Sequence, residues 1–255
     1  MSSKVKTVAV LPARIESSRL PRKALLDICG LPMIIHVYRR CLLASKLDEV
    51  YVATDSSEIK ESVERYGGKV IMTSSSHQTG TDRIAEAALN IDAEIIVNIQ
   101  GDEALVNPLY IDKVVIELET NPNIDVGILV NPYSKKNSPS DIKVVLDNNN
   151  DVLYLSRSDI PSNSRKQDTS MLKAYHIVPF RKKFLLQYTK LKKGNLEQIE
   201  FNEYLRILEH GYKIRAVHVE SDAVSVDTSE DLEFVRAEMP NDKWFLHYKE
   251  SNNYE

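Results

Sequence analysis

A basic loop follows the first hydrophobic run of the chain. Residues 11–30 read LPARIESSRLPRKALLDICG and come directly after TVAV. Arg14, Arg19 and Lys23 on one strand-to-helix loop could clamp a polyphosphate, because arginine binds it through a bidentate fork and lysine as a point charge. The loop matches neither GxxxxGK[ST] nor GxGxxG. It is therefore either a phosphate site of another kind or a solvated basic turn.

Acidic residues follow two later strand-like segments. Asp102 and Glu103 leave the apolar run AEIIVNIQ, and Asp227 follows VSV near the end of the chain. Two carboxylates from different strand ends can hold Mg²⁺, which takes few protein ligands and several phosphate oxygens. Asp102 could instead be a turn residue, and Asp227 could belong to a helix N-cap.

A third loop, TSSSHQTGTDR at residues 73–83, is small, polar and glycine-containing. Its backbone groups could pack against a base or a ribose. Its composition also fits an ordinary loop that caps a helix at Thr79 or Thr81.

These loops need strands to position them. Strands are predicted at 6–13, 48–55, 68–74 and 93–106, and helices at 31–45, 56–67, 79–90 and from Pro108 onward. Strands that alternate with helices predict a mostly parallel, doubly wound α/β sheet. Ligands of such sheets bind beyond the carboxyl ends of the strands, so the loops at 12–23, 73–83 and 100–105 should lie side by side.

The pattern changes after residue 131. Residues 141–161 predict a β-hairpin with an Asn-rich turn, and 196–211 predict one amphipathic helix that ends at Gly211. Further elements are a strand at 172–180, a short helix at 181–191, a strand at 213–220, and a strand, polar turn and capped helix at 224–239. We interpret 1–255 as a single domain that contains a hairpin subdomain at about 131–180 and ends in a tail at 240–255.

Bulk properties exclude several classes of protein. The net charge of -4 argues against bulk nucleic-acid binding. No apolar run approaches the ~20 residues that span a bilayer, and MSSKVKTVAV has no signal-peptide core, so we expect no membrane insertion and a cytoplasmic location. Cys29 and Cys41 lack the spacing of a zinc site and are expected to be reduced, buried thiols.

Together, the motifs resemble those of the 3-deoxy-manno-octulosonate cytidylyltransferase (CMP-Kdo synthetase) family from about residue 7 to residue 239. PARIESSRLPRKAL corresponds to the family's PAR…S(S/T)RLPxKxL, HQTGTDR to HxSGT(D/E)R, and QGDEA to QGDEP. SDIKVVLD…VLYLSR, LEQIEFNEYLRILEHG and SVDTSEDLEFVRAEM also have counterparts there, in the same order.

The resemblance implies a nucleotide-diphospho-sugar transferase fold, which is Rossmann-like, with the hairpin region forming a homodimer. It also implies that CTP and a 2-keto-3-deoxy sugar acid give a CMP-sugar and pyrophosphate with Mg²⁺, for lipopolysaccharide or capsule. The anion of the basic loop would then be the triphosphate of CTP.

The resemblance also implies roles for individual residues. The catalytic set would be Arg14, Lys23, Asp102 and Asp227, with Asp102 and Asp227 as the metal ligands. The nucleotide would contact Ala13, Arg14, Arg19, Lys23, Thr79, Gly80, Arg83 and Asp102. The sugar acid would contact Gln100, Arg157, Ala174, Tyr175, Glu200, Glu203 and Tyr204.

The chain departs from the family pattern at several positions. Arg22 stands at a common Gly and should point to solvent, and Ala104 replaces a Pro and should only loosen the turn. Ala174 stands at a histidine that faces the sugar, His176 at a Gly, and Tyr204 at a Gln expected to touch the sugar. Loss of these polar contacts suggests a modified sugar, such as the 8-amino-8-deoxy form, whose ammonium Glu203 or a tyrosine could meet. Neutral drift with the ordinary sugar is the alternative.

Other functions compete with this interpretation. A synthetase for a nine-carbon, sialic-like acid or a cytidylyltransferase for a polyol phosphate would use the same chemistry. A non-catalytic nucleotide-binding homologue would be a different class of protein, but it would not need both Asp102 and Asp227.

Overall fold

The computed structural model describes residues 6–17, 19–162, 164–165, 170–220 and 224–250, with only the backbone described at Glu250. The chain divides into two compact units. Unit 1 comprises Met1–Asp112 and Asp222–Glu255, and unit 2 comprises Lys113–Ser221. Much of the predicted loop 162–170 lies outside the described residues.

A parallel sheet forms the centre of unit 1. Its strands are β1 (Thr7–Ala13), β4 (Glu49–Thr54), β5 (Val70–Met72) and β6 (Ile95–Ile99), in the order β6-β1-β4-β5. The pairs β1–β4, β1–β6 and β4–β5 are all parallel. β1 and β6 are buried along their whole length, as expected for strands covered on both faces. The predicted mostly parallel α/β sheet is confirmed.

The predicted helices are α1 (Met33–Leu42), α2 (Ser57–Arg65), α3 (Gly80–Leu89), α4 (Pro108–Thr120) and α8 (Ser229–Glu238). A further helix, α9 (Lys243–Glu250), lies in the tail, where no element was predicted. A short hairpin, β2 (Asp27–Ile28) with β3 (Leu31–Pro32), precedes α1, and 3-10 turns lie at Lys23–Leu25 and Met239–Asn241. The unit boundary falls within α4.

Unit 2 contains a mixed sheet. Its strands are β7 (Gly127–Tyr133), β8 (Lys143–Leu146), β9 (Val152–Ser156), β10 (Met171–Tyr175) and β12 (Arg215–His218), in the order β12-β7-β10-β8-β9. β8 and β9 pair antiparallel, which confirms the hairpin predicted at 141–161. Its other elements are β11 (Ile177–Arg181), α5 (Lys182–Tyr188), α6 (Asn195–Glu200) and α7 (Leu205–Glu209).

Two predicted elements are each broken in two. The strand predicted at 172–180 is interrupted at His176, because β10 pairs with β7 only as far as Tyr175. The helix predicted at 196–211 breaks at Phe201, whose φ of 49 is left-handed and ends α6. The Asn202 side chain then accepts a hydrogen bond from the Tyr204 amide at 3.1 Å, as Asn side chains do where they compete with a helix.

Two smaller predictions were wrong. Residues 224–226 form no strand, although the amide of Val226 donates to the carbonyl of Asp102 at 3.1 Å. Cys41 is buried as predicted, but Cys29 is exposed because it lies in the turn between β2 and β3.

The C-terminal segment is a structural part of unit 1. Phe245 and Tyr248 of α9 are buried in a cluster that also contains residues beside the predicted site. The members of this cluster, called here the C-terminal core, are Leu20, Ile28, Met33, Ala104, Val226, Leu232, Val235, Met239, Phe245 and Tyr248. Trp244 is partly buried against it.

A buried histidine connects α9 to α1. The two ring nitrogens of His36 lie 2.6 Å from the Tyr248 hydroxyl and 2.7 Å from the Ile28 carbonyl. A neutral ring satisfies both, because one nitrogen donates to the carbonyl while the other accepts from the hydroxyl. Burial lowers the pKa of His36 from its ordinary value to about 4, the Ile28 carbonyl opposes this, and the nearby Arg40 charge lowers it further.

This histidine makes stability depend on pH. The folded-state pKa lies below the unfolded value, so the unfolded chain binds more protons and stability falls as pH drops from about 6.5 towards 4. We expect His36 to cost about 2 kcal/mol of unfolding free energy between pH 7.5 and pH 5.0. Urea unfolding at both pH values measures this. A His36→Asn variant should be less stable at pH 7.5 but lose about 2 kcal/mol less on acidification; equal losses would contradict the assignment.

No helix within the described part of the chain has the length and apolar character needed to cross a membrane.

Candidate functional site

The basic loop is anchored at its middle. Leu20 is buried in the C-terminal core and Ala24 is buried in the turn that follows. The 3-10 turn begins at Lys23, whose amide donates to the Leu20 carbonyl at 3.1 Å. Arg22 precedes it in the left-handed region, with φ 58 and ψ 30, which explains why a glycine is common there. Its side chain is exposed as predicted and pairs with Glu58.

Lys23 bridges the two predicted metal carboxylates. Its Nζ lies 2.6 Å from Oδ2 of Asp102 and 3.2 Å from Oδ1 of Asp227. It also donates to the carbonyl of Val226 at 2.9 Å. Burial by itself would lower the pKa of Lys23, but the carboxylates of Asp102 and Asp227 raise it above its ordinary value. The side chain is therefore an ammonium ion at neutral pH.

Asp227 is held by the start of α8. The hydroxyl of Thr228 accepts from the Asp231 amide and the Asp231 carboxylate accepts from the Thr228 amide, which forms a capping box. The amide of Asp227 also donates to Asp231 at 3.0 Å. Its own carboxylate therefore remains outside the cap and pairs with Arg19 at 2.9 Å as well as with Lys23.

The loop at 73–83 meets the end of β1. Thr79 caps α3 by accepting from the Asp82 amide, and the first helical residue, Gly80, lies against Pro12. A Cβ on Gly80 would approach Cγ of Pro12 to 3.2 Å, so a larger residue would push the loop away from β1. The side-chain Nε2 of Gln100 donates to the side-chain oxygen Oδ1 of Asn98 at 3.0 Å. This hydrogen bond holds the Gln100 side chain beside Gly80.

Arg83 lies beneath this loop. Its guanidinium is buried, donates to Thr73 at 2.7 Å and pairs with Asp55 at 3.2 Å. It therefore ties α3 to the loops that follow β4 and β5, which positions the walls of the site.

One cavity of unit 1 brings most of the predicted residues together. Its volume is about 290 Å³, at the small end of the range for small-molecule sites. The predicted residues that line it are Ala13, Arg14, Arg19, Lys23, Thr79, Gly80, Arg83, Gln100, Asp102 and Asp227. The other residues that line the cavity, for which no role is predicted from the sequence, are Pro12, Glu16, Ser17, Ala24, His77, Gln78 and Gly101.

Gly101 and His77 lie in motifs that the sequence analysis quoted, so their motif positions could have identified them. A Cβ on Gly101 would come within 3.1 Å of both the Pro12 carbonyl oxygen and Ile34, so a larger residue would require the loop or the end of β1 to shift. His77 pairs with Glu86 and thereby joins the loop to α3.

The acidic pair suits a hard divalent cation. The carboxylates of Asp102 and Asp227 both pair with the Lys23 ammonium, so the two side chains lie close enough to share one cation. Their oxygens are the type of ligand that Mg²⁺ prefers. Within the described ranges, no group of three or more His, Cys, Asp and Glu side chains could hold a metal ion. A metal bound here would thus need oxygens from water and phosphate, as Mg²⁺ commonly takes them.

The other predicted sugar residues lie in unit 2. The Arg157 guanidinium donates to the backbone carbonyls of Glu200 at 2.9 Å, Pro139 at 2.7 Å and Phe201 at 3.2 Å. Burial would raise the pKa of Glu200, but hydrogen bonds from the Arg157 amide and from Ser156 lower it below its ordinary value. Arg157 and Glu200 thus hold α6 against the end of β9.

Ala174, Tyr175 and Tyr204 are buried in the same unit. The Tyr204 ring stacks on His176 with the centroids 6.1 Å apart and lies 6.4 Å from the ring of Phe180. Two departures from the family pattern, His176 and Tyr204, are therefore in contact. Glu203 lies next to Tyr204, and its carbonyl accepts from the Tyr188 hydroxyl at 2.8 Å.

Comparisons with known proteins identify the family of the chain. A sequence model of the family described as cytidylyltransferase matches residues 8–214. The chain is 42% identical over 245 residues to the 3-deoxy-manno-octulosonate cytidylyltransferase of Geobacter metallireducens, which covers 91% of this chain and 96% of that one. It is 40% identical over 240 residues to the 8-amino-3,8-dideoxy-manno-octulosonate cytidylyltransferase of Shewanella halifaxensis, which covers 91% and 98%.

A solved structure shows the same fold. CMP:2-keto-3-deoxy-manno-octonic acid synthetase, solved in complex with CTP, matches with a TM-score of 0.89 and 40% identity, covering 92% of this chain and 99% of that one. The resemblance inferred from the motifs is confirmed. The chain belongs to the cytidylyltransferase family, and it is a CTP-dependent nucleotidyltransferase.

Proposed function

We propose that this enzyme transfers the cytidylyl group of CTP to a 3-deoxy-octulosonate sugar acid and releases pyrophosphate. The observation that carries the proposal is the cavity in which Arg14, Arg19 and Lys23 line one space with Asp102 and Asp227. Cations for a triphosphate and carboxylates for a divalent cation are what nucleotidyl transfer requires. The relatives at 40–42% identity act on octulosonates by name, which supports the choice of sugar.

The nucleotide would occupy the unit 1 cavity. Arg14 and Lys23 would hold the β- and γ-phosphates that leave as pyrophosphate, and Arg19 would assist them. Ala13, Thr79, Gly80 and Arg83 would receive cytosine and ribose, since a pyrimidine suits a tight pocket of small residues. Catalysis would come mainly from positioning and from neutralising the charge on the phosphates.

Asp102 and Asp227 would hold Mg²⁺, and their carboxylate oxygens fit that ion. Bound there, Mg²⁺ would lower the pKa of the attacking hydroxyl and neutralise charge at the α-phosphate. The protein's own part is to hold these two carboxylates at fixed positions, Asp227 through the capping box and Asp102 at the end of β6.

We propose that the sugar acid contacts the residues predicted for it, which are Gln100, Arg157, Ala174, Tyr175, Glu200, Glu203 and Tyr204. Arg157 already donates to several backbone carbonyls, so a contact with the sugar carboxylate would have to compete with them.

The second candidate is a cytidylyltransferase for 8-amino-3,8-dideoxy-octulosonate. The observation that favours it is the stacking of His176 on Tyr204, because two replacements that contact each other point to a joint change rather than to independent drift. Relatives with almost equal identity carry both substrate names, so similarity does not decide between them.

We further propose a cytoplasmic homodimer, formed through the hairpin region at about 131–180, that supplies lipopolysaccharide or capsule synthesis.

Pyrophosphate release with CTP and Mg²⁺ tests the proposal, with 3-deoxy-manno-octulosonate and its 8-amino analogue run in parallel. We expect release with at least one sugar and none without sugar. A higher kcat/KM for the amino sugar would indicate that Tyr204 and His176 determine specificity. A higher kcat/KM for the plain sugar would indicate that these two replacements are neutral. If neither sugar gave pyrophosphate release, the proposed substrate class would be contradicted.

A further inference from the structure

The Lys23 ammonium uses all of its hydrogen-bonding capacity inside the protein. An ammonium has three donors, and Nζ has three acceptors, at 2.6 Å on Asp102, 2.9 Å on Val226 and 3.2 Å on Asp227. The side chain is only 19% exposed. Lys23 therefore cannot hold a phosphate group fully while it keeps these bonds.

A metal ion on the same carboxylates would need the same space. Mg²⁺ lies about 2.0–2.1 Å from its oxygen ligands. An ion shared by Asp102 and Asp227 would therefore meet the ammonium that now lies between them, at contact distance and with charge of the same sign. The bridge and the metal exclude each other.

We infer that Lys23 is a tethered cation that fills the metal position in the nucleotide-free enzyme and has to leave it before a divalent cation binds Asp102 and Asp227. The inference rests on the proposed metal role of these two carboxylates. A triphosphate gives the displaced ammonium new anionic partners that carry several negative charges. Metal and nucleotide should therefore enter together, and free divalent cations should bind poorly to the nucleotide-free protein.

Metal binding without nucleotide tests this inference. Mn²⁺ is titrated into the full chain in the absence of CTP, and free Mn²⁺ is followed by its electron paramagnetic resonance signal. We expect Lys23→Met to bind Mn²⁺ at least tenfold more tightly than wild type, because the carboxylate pair loses its cation. Lys23→Gln is a second neutral variant in case the first folds poorly, and Lys23→Arg, which keeps the charge, should stay within threefold of wild type.

Arg19 provides the matched control. It pairs with Asp227 from the solvent side and its side chain is 58% exposed, so Arg19→Gln removes one charge without vacating the space between the carboxylates. We expect this variant to stay within threefold of wild type. An Arg19→Gln gain as large as that of Lys23→Met would overturn the inference, because it would show a general charge effect.

Two further results decide the matter. Asp102→Asn added to Lys23→Met should abolish the gained affinity; a gain that survives would place the Mn²⁺ elsewhere and overturn the inference. Neutral Lys23 variants that bind Mn²⁺ within twofold of wild type would also overturn it. Pyrophosphate release by the wild type reports on the proposed function separately, since it needs no nucleotide-free metal binding.

Discussion

Replacing Asp102 by Asn should lower kcat at least about a thousandfold while the protein stays folded, a loss of about 4 kcal/mol of transition-state stabilisation. The amide keeps the shape of the side chain but removes the charge that a divalent cation requires. Asp102 follows a fully buried strand, and its carbonyl anchors the amide of Val226, so the backbone of the site does not depend on the carboxylate. Steady-state pyrophosphate release at saturating CTP measures kcat.

A matched control separates chemistry from charge. Asp82 lies in the first turn of α3, beside the cavity but not lining it, so Asp82→Asn makes the same change in net charge. We expect its kcat to stay within about threefold of wild type, because the Asp82 side chain is outside the set of residues that line the cavity. An Asp102→Asn enzyme that keeps more than a tenth of wild-type kcat would contradict the metal role of Asp102.

The sequence predicted which loops of unit 1 meet at one cavity better than it predicted the elements of unit 2. The strands of unit 1 are buried on both faces, so long apolar runs identify them, and a parallel sheet brings the loops after them to one edge. That rule alone placed Lys23 and Asp102 near each other, and the cavity contains both. Their direct ion pair could not be predicted, because it depends on the side-chain position of Lys23 set by the 3-10 turn.

No sequence pattern of this kind predicted the two interruptions in unit 2, one in the helix predicted at 196–211 and one in the strand predicted at 172–180. The hydrophobic spacing of 196–211 continues across Phe201, so periodicity predicts one helix, although Phe201 adopts a left-handed conformation that ends α6. The same holds at His176, where a single apolar run contains two strands. The roles of the site residues in both units stay predictions, and those of Arg157, Glu200 and Tyr204 rest on the resemblance alone.

The second large effect concerns the C-terminal helix, which lies beyond the matched family residues 8–214. Phe245→Ala should lower the free energy of unfolding by about 3–5 kcal/mol, as is usual for a buried aromatic residue replaced by alanine. Phe245 is 2% exposed in the C-terminal core and packs edge-on against Tyr248 with the centroids 5.6 Å apart. Urea unfolding at pH 7.5 measures the change. The control is Leu246→Ala in the same helix, because the Leu246 side chain is 46% exposed. This control should lower the free energy of unfolding by less than about 1 kcal/mol.

The same variant should also weaken catalysis. The C-terminal core contains Leu20, Ala104 and Val226, which lie within three residues of Lys23, Asp102 and Asp227. A cavity at Phe245 would loosen the cluster to which these three residues belong. Small displacements of reacting groups can cost about a hundredfold in rate. We therefore expect kcat/KM for CTP to fall at least about tenfold in Phe245→Ala but less than about twofold in Leu246→Ala, both measured well below the unfolding transition. A Phe245→Ala enzyme that loses stability yet keeps full kcat/KM would show that α9 stabilises unit 1 without positioning the site.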